Sequence, residues 1–489
     1  MSGPPQRRAA IHNFASLTVG HLVSKVTGLA TLVVMARYLG DSEFGKFMIA
    51  LVAVQLADTI SDLGISQAIV RQGAGRPQRL AVDLAAVMPL KVVLAAVSVV
   101  VALAFVAASG GDAQLIEMTF YFAIAQALGS LTLLLRAVFQ SFERMEYEAF
   151  SVALEGGIRL GAVVLAVAGS YGLVGIAKVL ALASLVTSLS AGIVVLHRFT
   201  RPRLTIGWPH RAASLLLMGL PISFVWLAVG ADQRINTLLL GRLATESAAG
   251  VFGAAFRLVE PTLIIPSMLI VALFPVAARH DREGLRGMQL LLTSSQKMLL
   301  ALSLPIATAI WVAAPDVITI VFGTARPSVV QPVQILAPAV VLMFARLGLT
   351  QMLLAVGRWR AALVPQLLGI LANILLALWL IPSEGASGAA WAVLGSEFAA
   401  VIAGMYALRA DLGRPSITEL ARPVLVAAPA AAVGAALAPL STAAAIIAAA
   451  AVYLFAMRVV RPFSAQDNSY LRAAMPLVAA TLAFATEDR

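Results

Sequence analysis

The 489-residue chain contains no cysteine, which excludes disulfides and thiolate metal sites. Its 5 histidines are scattered rather than spaced as ligands, so neither a metal nor a cofactor is expected. Charge is scarce too. Only 12% of residues are Asp, Glu, Lys or Arg, about half the quarter that a soluble globular protein carries. No GxxxxGK[ST] loop is present, so ATP use by that route is excluded. What fills the chain instead is apolar: 60% of residues are hydrophobic and mean hydropathy is +0.92. Runs of about 20 apolar residues, each long enough to cross a bilayer core, recur along nearly the whole length. The composition describes an all-α polytopic membrane protein. The polar start, "MSGPPQRRAAIHN", lacks a small-residue cleavage site and is expected to remain as a cytoplasmic tail.

Apolar runs between polar breaks predict 14 transmembrane helices. The first seven lie near 13–36, 44–67, 86–108, 117–140, 150–169, 172–196 and 213–240. The rest lie near 247–278, 290–313, 332–356, 361–381, 386–408, 421–440 and 442–459. Pro261 and Pro266 interrupt the eighth and predict a kink. The tail segment 470–484 is too short to span and is expected at the interface. Loop charges test this map. Twenty arginines fall on the side of the N-terminus, among them Arg71, Arg76, Arg79, Arg203 and Arg211. Four basic residues fall opposite: Arg37, Lys46, Arg242 and Arg326. This positive-inside bias predicts that both termini are cytoplasmic, and it makes the net charge of +11 a topology signal rather than a nucleic-acid footprint. The largest outer loop, about 314–331, leaves no room for a catalytic domain, and no catalytic residue is expected.

Two stretches repeat. "ARYLGDSEFGKF" (36–47) and "GRLATESAAGVF" (241–252) align without gaps, pairing Arg37 with Arg242, Ser42 with Ser247, Gly45 with Gly250 and Phe47 with Phe252. "GLVGIA" (172–177) and "GASGAA" (385–390) form a second echo. An even number of spans separates the copies, so the halves share an orientation and a pseudo-two-fold axis along the membrane normal is expected. The predicted organisation is an N-lobe of six helices (1–209), a C-lobe of six (210–410), and two further helices with a tail (411–489). Such an arrangement would place a cavity between the lobes.

Ionisable residues inside spans are expensive, at about 2.5–3.5 kcal/mol each near a helix centre, and need partners or water. Glu155 and Arg159, four apart, and Arg257 and Glu260, three apart, are spaced for local ion pairs. Lys297 is placed to snorkel to head groups. Asp58 and Asp62 share one helical face, where capping and ion binding are both open readings. Lys178, Asp232, Arg234 and Glu397 also fall within spans. Lys25 and Arg346 have no acid three or four residues away, so each is expected to meet an anion, from the protein or from a cargo. Arg37 and Arg242, at equivalent outer helix ends, are candidates for a capping or a gating role.

The stretch "ARYLGDSEFGKFMIALVAVQLADTISDLGISQAIVRQ" resembles the N-terminal pattern of polysaccharide-type lipid-linked oligosaccharide flippases. These belong to the multidrug/oligosaccharidyl-lipid/polysaccharide exporter superfamily. "LPISFVWLAVGADQRINTLLLGRLATESAAGVFGAAFRLVEP" is similar to that family's seventh and eighth helices. The related lipid II flippases carry a Ser-Arg pair and a glycine on helix one, where this chain has Ser24, Lys25 and Gly28. Their eighth helix has an arginine, an acid and a proline, matched by Arg257, Glu260 and Pro261. The resemblance implies that these cations line a transport cavity. A second arginine and an aspartate of that helix one fall here at about Ala30 and Thr31, which favours an oligosaccharide over lipid II.

The implied function is therefore flipping of an undecaprenyl-diphosphate-linked oligosaccharide across the bacterial inner membrane by alternating access. Lys25, Arg159, Arg257 and Arg346 would hold the anionic cargo. Asp58, Asp62, Asp232, Glu260 and Glu397 would be gating, structural or ion-coupling groups. The expected partners are that lipid-linked substrate, the phospholipid bilayer and a polysaccharide polymerase or chain-length complex. A lipid II flippase and a cation-coupled multidrug exporter of the same superfamily are the alternatives.

Overall fold

The computed structural model describes residues 4–203, 205–266, 269, 285–355, 358–412, 416–464 and 467. The tail segment 470–484 therefore lies outside the described residues. The chain forms two compact units, 1–250 and 251–489, and the described residues are helical almost throughout.

The first unit contains α1 (Pro4–Tyr38), α2 (Asp41–Asp62), a short α3 (Ile65–Gly75), α4 (Leu80–Ala108) and α5 (Ala113–Ser141). It continues with α6 (Met145–Ala168), α7 (Leu173–Val194) and α8 (Trp208–Leu243). Helix α1 lies along α6, and small residues permit the approach: a Cβ at Gly20 would stand 2.7 Å from the Ala149 backbone. Helices α2, α4 and α5 pack on one another and α7 on α5 and α6, while α8 lies on α2, α3 and α4. A core at one end joins Ile65 and Ile69 of α3, Leu84 of α4, Leu134 and Val138 of α5, Ala191 of α7 and Leu215 of α8. Phe199 caps it, packed against Phe139, Phe142 and Tyr147.

The sequence predicts a span over 44–67, but the helix breaks at Leu63 and Gly64, both left-handed at φ 42° and 75°. Glycine is needed at position 64 for a second reason. A Cβ there would lie 2.4 Å from the carbonyl oxygen of Gly219, so the break seats directly on the α8 backbone. The chain then restarts as α3.

Helix α9 (Glu246–Val259) starts in the first unit and passes into the second, where a 3₁₀ turn over Glu260–Leu263 follows. Pro261 lacks an N–H and suits the first positions of that turn, which interrupts the predicted eighth span at the first of its two prolines. The second unit continues with α10 (Leu285–Phe322), α11 (Pro327–Ala355), α12 (Trp359–Leu412), α13 (Ile417–Leu437) and α14 (Thr442–Val460). Helix α12 is two helices joined at Gly385, whose φ of 54° and ψ of −124° are not helical. Helix α10 packs on α11, α13 and α14, and Tyr453 of α14 donates to the Ala301 carbonyl at 2.6 Å. The outer loop expected near 314–331 is shorter in the fold. Helix α10 carries Pro315 within it and runs to Phe322, and Pro327 opens α11.

Twelve helical stretches among the described residues are long and apolar enough to cross a membrane, one of them the 50-residue run Arg360–Arg409 that Gly385 divides. With that run counted as two, the described residues give 13 such stretches, near the expected 14. Large apolar side chains such as Leu182, Trp379, Phe398 and Phe455 stand on the outside, while polar groups such as Ser130, Asn236 and Gln366 are buried. That inversion suits a hydrocarbon solvent.

Candidate functional site

The intramembrane charges form separate networks. In the first unit, Asp62 of α2 pairs with Lys91 of α4, a lysine only 2% exposed. Ser66 donates to the same Asp62 oxygen at 2.5 Å. One turn earlier, Asp58 accepts from Ser61 at 2.6 Å and from Gln126 at 2.8 Å, and Ser61 shares a further hydrogen bond with Ser130. The i,i+4 spacing of the two aspartates thus faces α4 and α5 with a polar cluster inside the helix bundle.

A second network joins α5 to α6. Glu155 receives Arg136 at 2.6 Å on one oxygen and Arg159 at 2.7 Å on the other. Arg136 also donates to Ser151 through Nε and Nη2. One acid between two guanidiniums leaves a net positive charge, with Arg159 the more exposed member. Lys25 stands on α1, the helix that lies along α6. It is exposed, and among the described residues it has no hydrogen-bond or ion-pair partner. Ser24 and Thr27 of the same helix instead face Gly156 of α6.

Arg234 of α8 donates to Gln55 of α2 at 3.0 Å, and Asp232 is buried on the same helix. Beyond the C-terminal end of α1 the two sequence repeats touch. Ser42 donates to Glu246 at 2.9 Å, and a Cβ at Gly45 would stand 1.9 Å from the Glu246 carbonyl oxygen. Lys46 pairs with Asp112, whose carboxyl this bond and the Leu115 N–H hold below its ordinary range. Arg242 donates to the carbonyl of Ala108, the last residue of α4, where a cation complements the helix dipole. Arg37 is exposed in the last turn of α1.

In the second unit, Arg346 of α11 meets Glu397 of α12 through two parallel bonds of 2.7 and 2.8 Å, and donates to Gln366 at 2.5 Å. Arg346 and Glu397 are only 5% and 4% exposed. The anion that the sequence demands for Arg346 is thus supplied by the protein, 51 residues away. Arg257 and Glu260 close their i,i+3 pair at 3.2 Å, both half-buried. Lys297 does not snorkel. It is buried between Glu419 at 2.8 Å and Asp467 at 2.6 Å, tying α10 to α13 and to the segment beyond α14. Burial raises the Asp467 carboxyl, but its bonds to Lys297, Ser294 and the Ser464 N–H outweigh that and bring it below the ordinary range.

The structure brings Asp58 and Asp62 into adjacent clusters, Arg159 to Glu155, Arg257 to Glu260, and Arg346 to Glu397. Lys25, Asp232, Arg37 and Arg242 stand elsewhere. Two cations central to the networks, Lys91 and Arg136, are not among the candidates the sequence suggests. Both lie in the predicted spans 86–108 and 117–140, so an intramembrane charge is the signal that could find them. No group of three or more metal-binding side chains occurs among the described residues.

This fold has counterparts among known proteins. The chain superposes on the lipid II flippase MurJ in an inward closed conformation with a TM-score of 0.73. Identity is 13%, over 91% of this chain and 98% of that one. An inward-facing multidrug resistance MATE family transporter of the MOP superfamily gives 0.65 at 16% identity, covering 81% and 97%. A MOP superfamily transporter from Pyrococcus furiosus gives 0.56 at 17%, covering 82% and 94%. At these identities the likeness is one of fold. Among the curated proteins nothing matches. Residues 10–280, more than half the chain, match the family described as polysaccharide biosynthesis protein, and the chain belongs to that family.

Proposed function

We propose that this protein is a flippase that moves an undecaprenyl-diphosphate-linked oligosaccharide outward across the bacterial inner membrane by alternating access. Both termini would be cytoplasmic, as the twenty-to-four charge bias supports. The two lobes of six helices, 1–209 and 210–410, would be its working parts, with 411–489 an addition. Family membership supports the role in polysaccharide assembly. The single observation that carries the anionic cargo is Lys25: a mid-helix cation on α1, exposed, with no partner among the described residues. A cation left so inside a membrane protein costs free energy that an arriving diphosphate offsets. Arg159, half-exposed beside Glu155, would add to the positive potential along the neighbouring α6. The ion-paired Arg346 and Arg257 would contribute only if their carboxylates yielded. Outward movement of about two negative charges down an inside-negative potential supplies about 4.6 kcal/mol per 100 mV, enough to drive flipping without ATP.

Position 25 tests the reading. Lys25→Arg should retain much of the activity, since both side chains bind phosphate. Lys25→Ala should weaken cargo binding roughly tenfold or more, the loss expected for one charge-assisted hydrogen bond. Lys25→Glu should be worse still, placing like charge beside the cargo. Complementation of a flippase-null strain, with membrane levels checked by immunoblot, measures all three. Full activity of the glutamate variant at normal expression would overturn the anionic-cargo assignment.

A further inference from the structure

A cleft of about 450 Å³ opens on the arginine-rich side of the first unit, lined by Arg71, Arg76, Arg79 and Arg211. We propose that it is a binding site for a phosphate-bearing group, distinct from the cations within the spans. Arg71 comes from α3, Arg76 and Arg79 from the turn that follows it, and Arg211 from the first turns of α8. Asp83 is the one acid in the lining. It is 2% exposed and pairs with Nε of Arg211, so its charge is already committed. Arg71, Arg76 and Arg79 have no ion-pair partner among the described residues. Three uncompensated guanidiniums on one concave wall match a ligand with two or more negative charges and several acceptor oxygens that the planar forks can grip in pairs.

Positive-inside topology explains why arginines lie on this side but not why they share a cleft. Nor does it call for a buried carboxylate that fixes one of them. The backbone is built to hold them in place. Arg76 N–H bonds to the carbonyls of Gln72 and Gly73 at 3.1 and 3.2 Å, and Arg79 N–H bonds to the Arg76 carbonyl at 3.0 Å. Arg203 N–H bonds to the Ala81 carbonyl at 2.9 Å, pinning the approach to α8 against α4. The contact of Gly64 with Gly219 locks α3 to α8 from the other end. The backbone of the cleft is thus set before a ligand arrives, and the ordering left to binding is that of the arginine side chains. The volume falls within the range of small-molecule sites.

Two sources could present this chemistry: a diphosphate, free or as a head group, and a bilayer phospholipid that carries two phosphodiester groups. The experiment separates them. The full chain is placed in phosphatidylcholine nanodiscs and titrated with inorganic diphosphate, following Tm and direct binding. A parallel set of nanodiscs contains cardiolipin in place of diphosphate. Arg76→Gln/Arg79→Gln should weaken binding of the responding probe roughly tenfold per guanidinium removed. Arg76→Lys/Arg79→Lys keeps the topological charge and so guards against misinsertion; it too should bind more weakly than wild type, because lysine lacks the planar fork. A response to diphosphate assigns the site to a head group or soluble anion, and a response to cardiolipin alone assigns it to the bilayer. If neither probe distinguishes wild type from both double variants, the site does not exist and the arginines serve topology only. The readout is binding rather than flipping, so failure of the Lys25 tests would leave this result standing, and the reverse.

Discussion

Gly45→Ala is the most direct test of whether the outer seam moves. A Cβ at position 45 would stand 1.9 Å from the Glu246 carbonyl oxygen and 2.4 Å from its carbon. Both are backbone atoms at the start of α9, so no side-chain rotation can relieve the clash. Keeping the seam closed with alanine there should cost about 1–3 kcal/mol, the usual range for overpacking. If α2 and the start of α9 separate during transport, that cost applies to the closed state alone. The open fraction should then rise roughly 5–150-fold, at one decade per 1.4 kcal/mol. Because the chain has no cysteine, a single introduced thiol reports without background. Ala249 lies three residues beyond Glu246 and is fully buried, so Ala249→Cys should react slowly with a membrane-impermeant maleimide added outside. The Gly45→Ala/Ala249→Cys variant should react faster by a comparable factor, with Tm little changed. A lowered Tm without faster labelling would refute the moving seam and make Gly45 a packing residue. Unchanged Tm and unchanged labelling would refute the clash itself.

Two further outcomes follow from the ion pairs. Removing one member of the buried Arg346–Glu397 pair, as in Arg346→Ala or Glu397→Ala, should cost about 3–5 kcal/mol in thermal unfolding by stranding the other charge. Arg346→Met/Glu397→Leu should recover most of that loss, and a double variant no better than the singles would show that the pair is not a self-contained unit. Asp112 has its carboxyl held below the ordinary range by Lys46, so the pair stabilises the fold above about pH 4 and loses that contribution as pH falls through the lowered value. Half-exposed as it is, the effect should be only about 0.2–1 kcal/mol, and Asp112→Asn should abolish it in unfolding curves measured between pH 6 and about 3.

Much of this molecule is legible in one sequence because hydrocarbon imposes so strong a filter. Twenty-residue apolar runs can cross a bilayer only as helices, so the number and order of spans follow from hydropathy alone. The i,i+3 and i,i+4 pairs, Arg257 with Glu260 and Glu155 with Arg159, are equally readable, because helix geometry makes such neighbours meet. The break at Leu63–Gly64 is not readable: a lone glycine in an apolar run can be tolerated in a helix, and only its contact with Gly219 requires the left-handed turn.

The sequence by itself determined the class of protein, the approximate number of its spans and the presence of cations that demand anions. Tertiary structure alone decided which anion each one meets. Arg346 finds Glu397 across 51 residues, Lys297 finds Asp467 across 170, and Lys91 finds Asp62 across 29. Partners so separated are chosen by helix packing, and hydropathy carries no information about which helices pack. The same holds for the arginine cleft: its members lie 140 residues apart between Arg71 and Arg211, and only the seating of α8 on α3 and α4 makes them one wall. Lys25 is the case where the fold leaves the demand unmet within the described residues. A charge placed in a span by sequence, and left without a protein partner by packing, is what the proposed cargo role of Lys25 rests on.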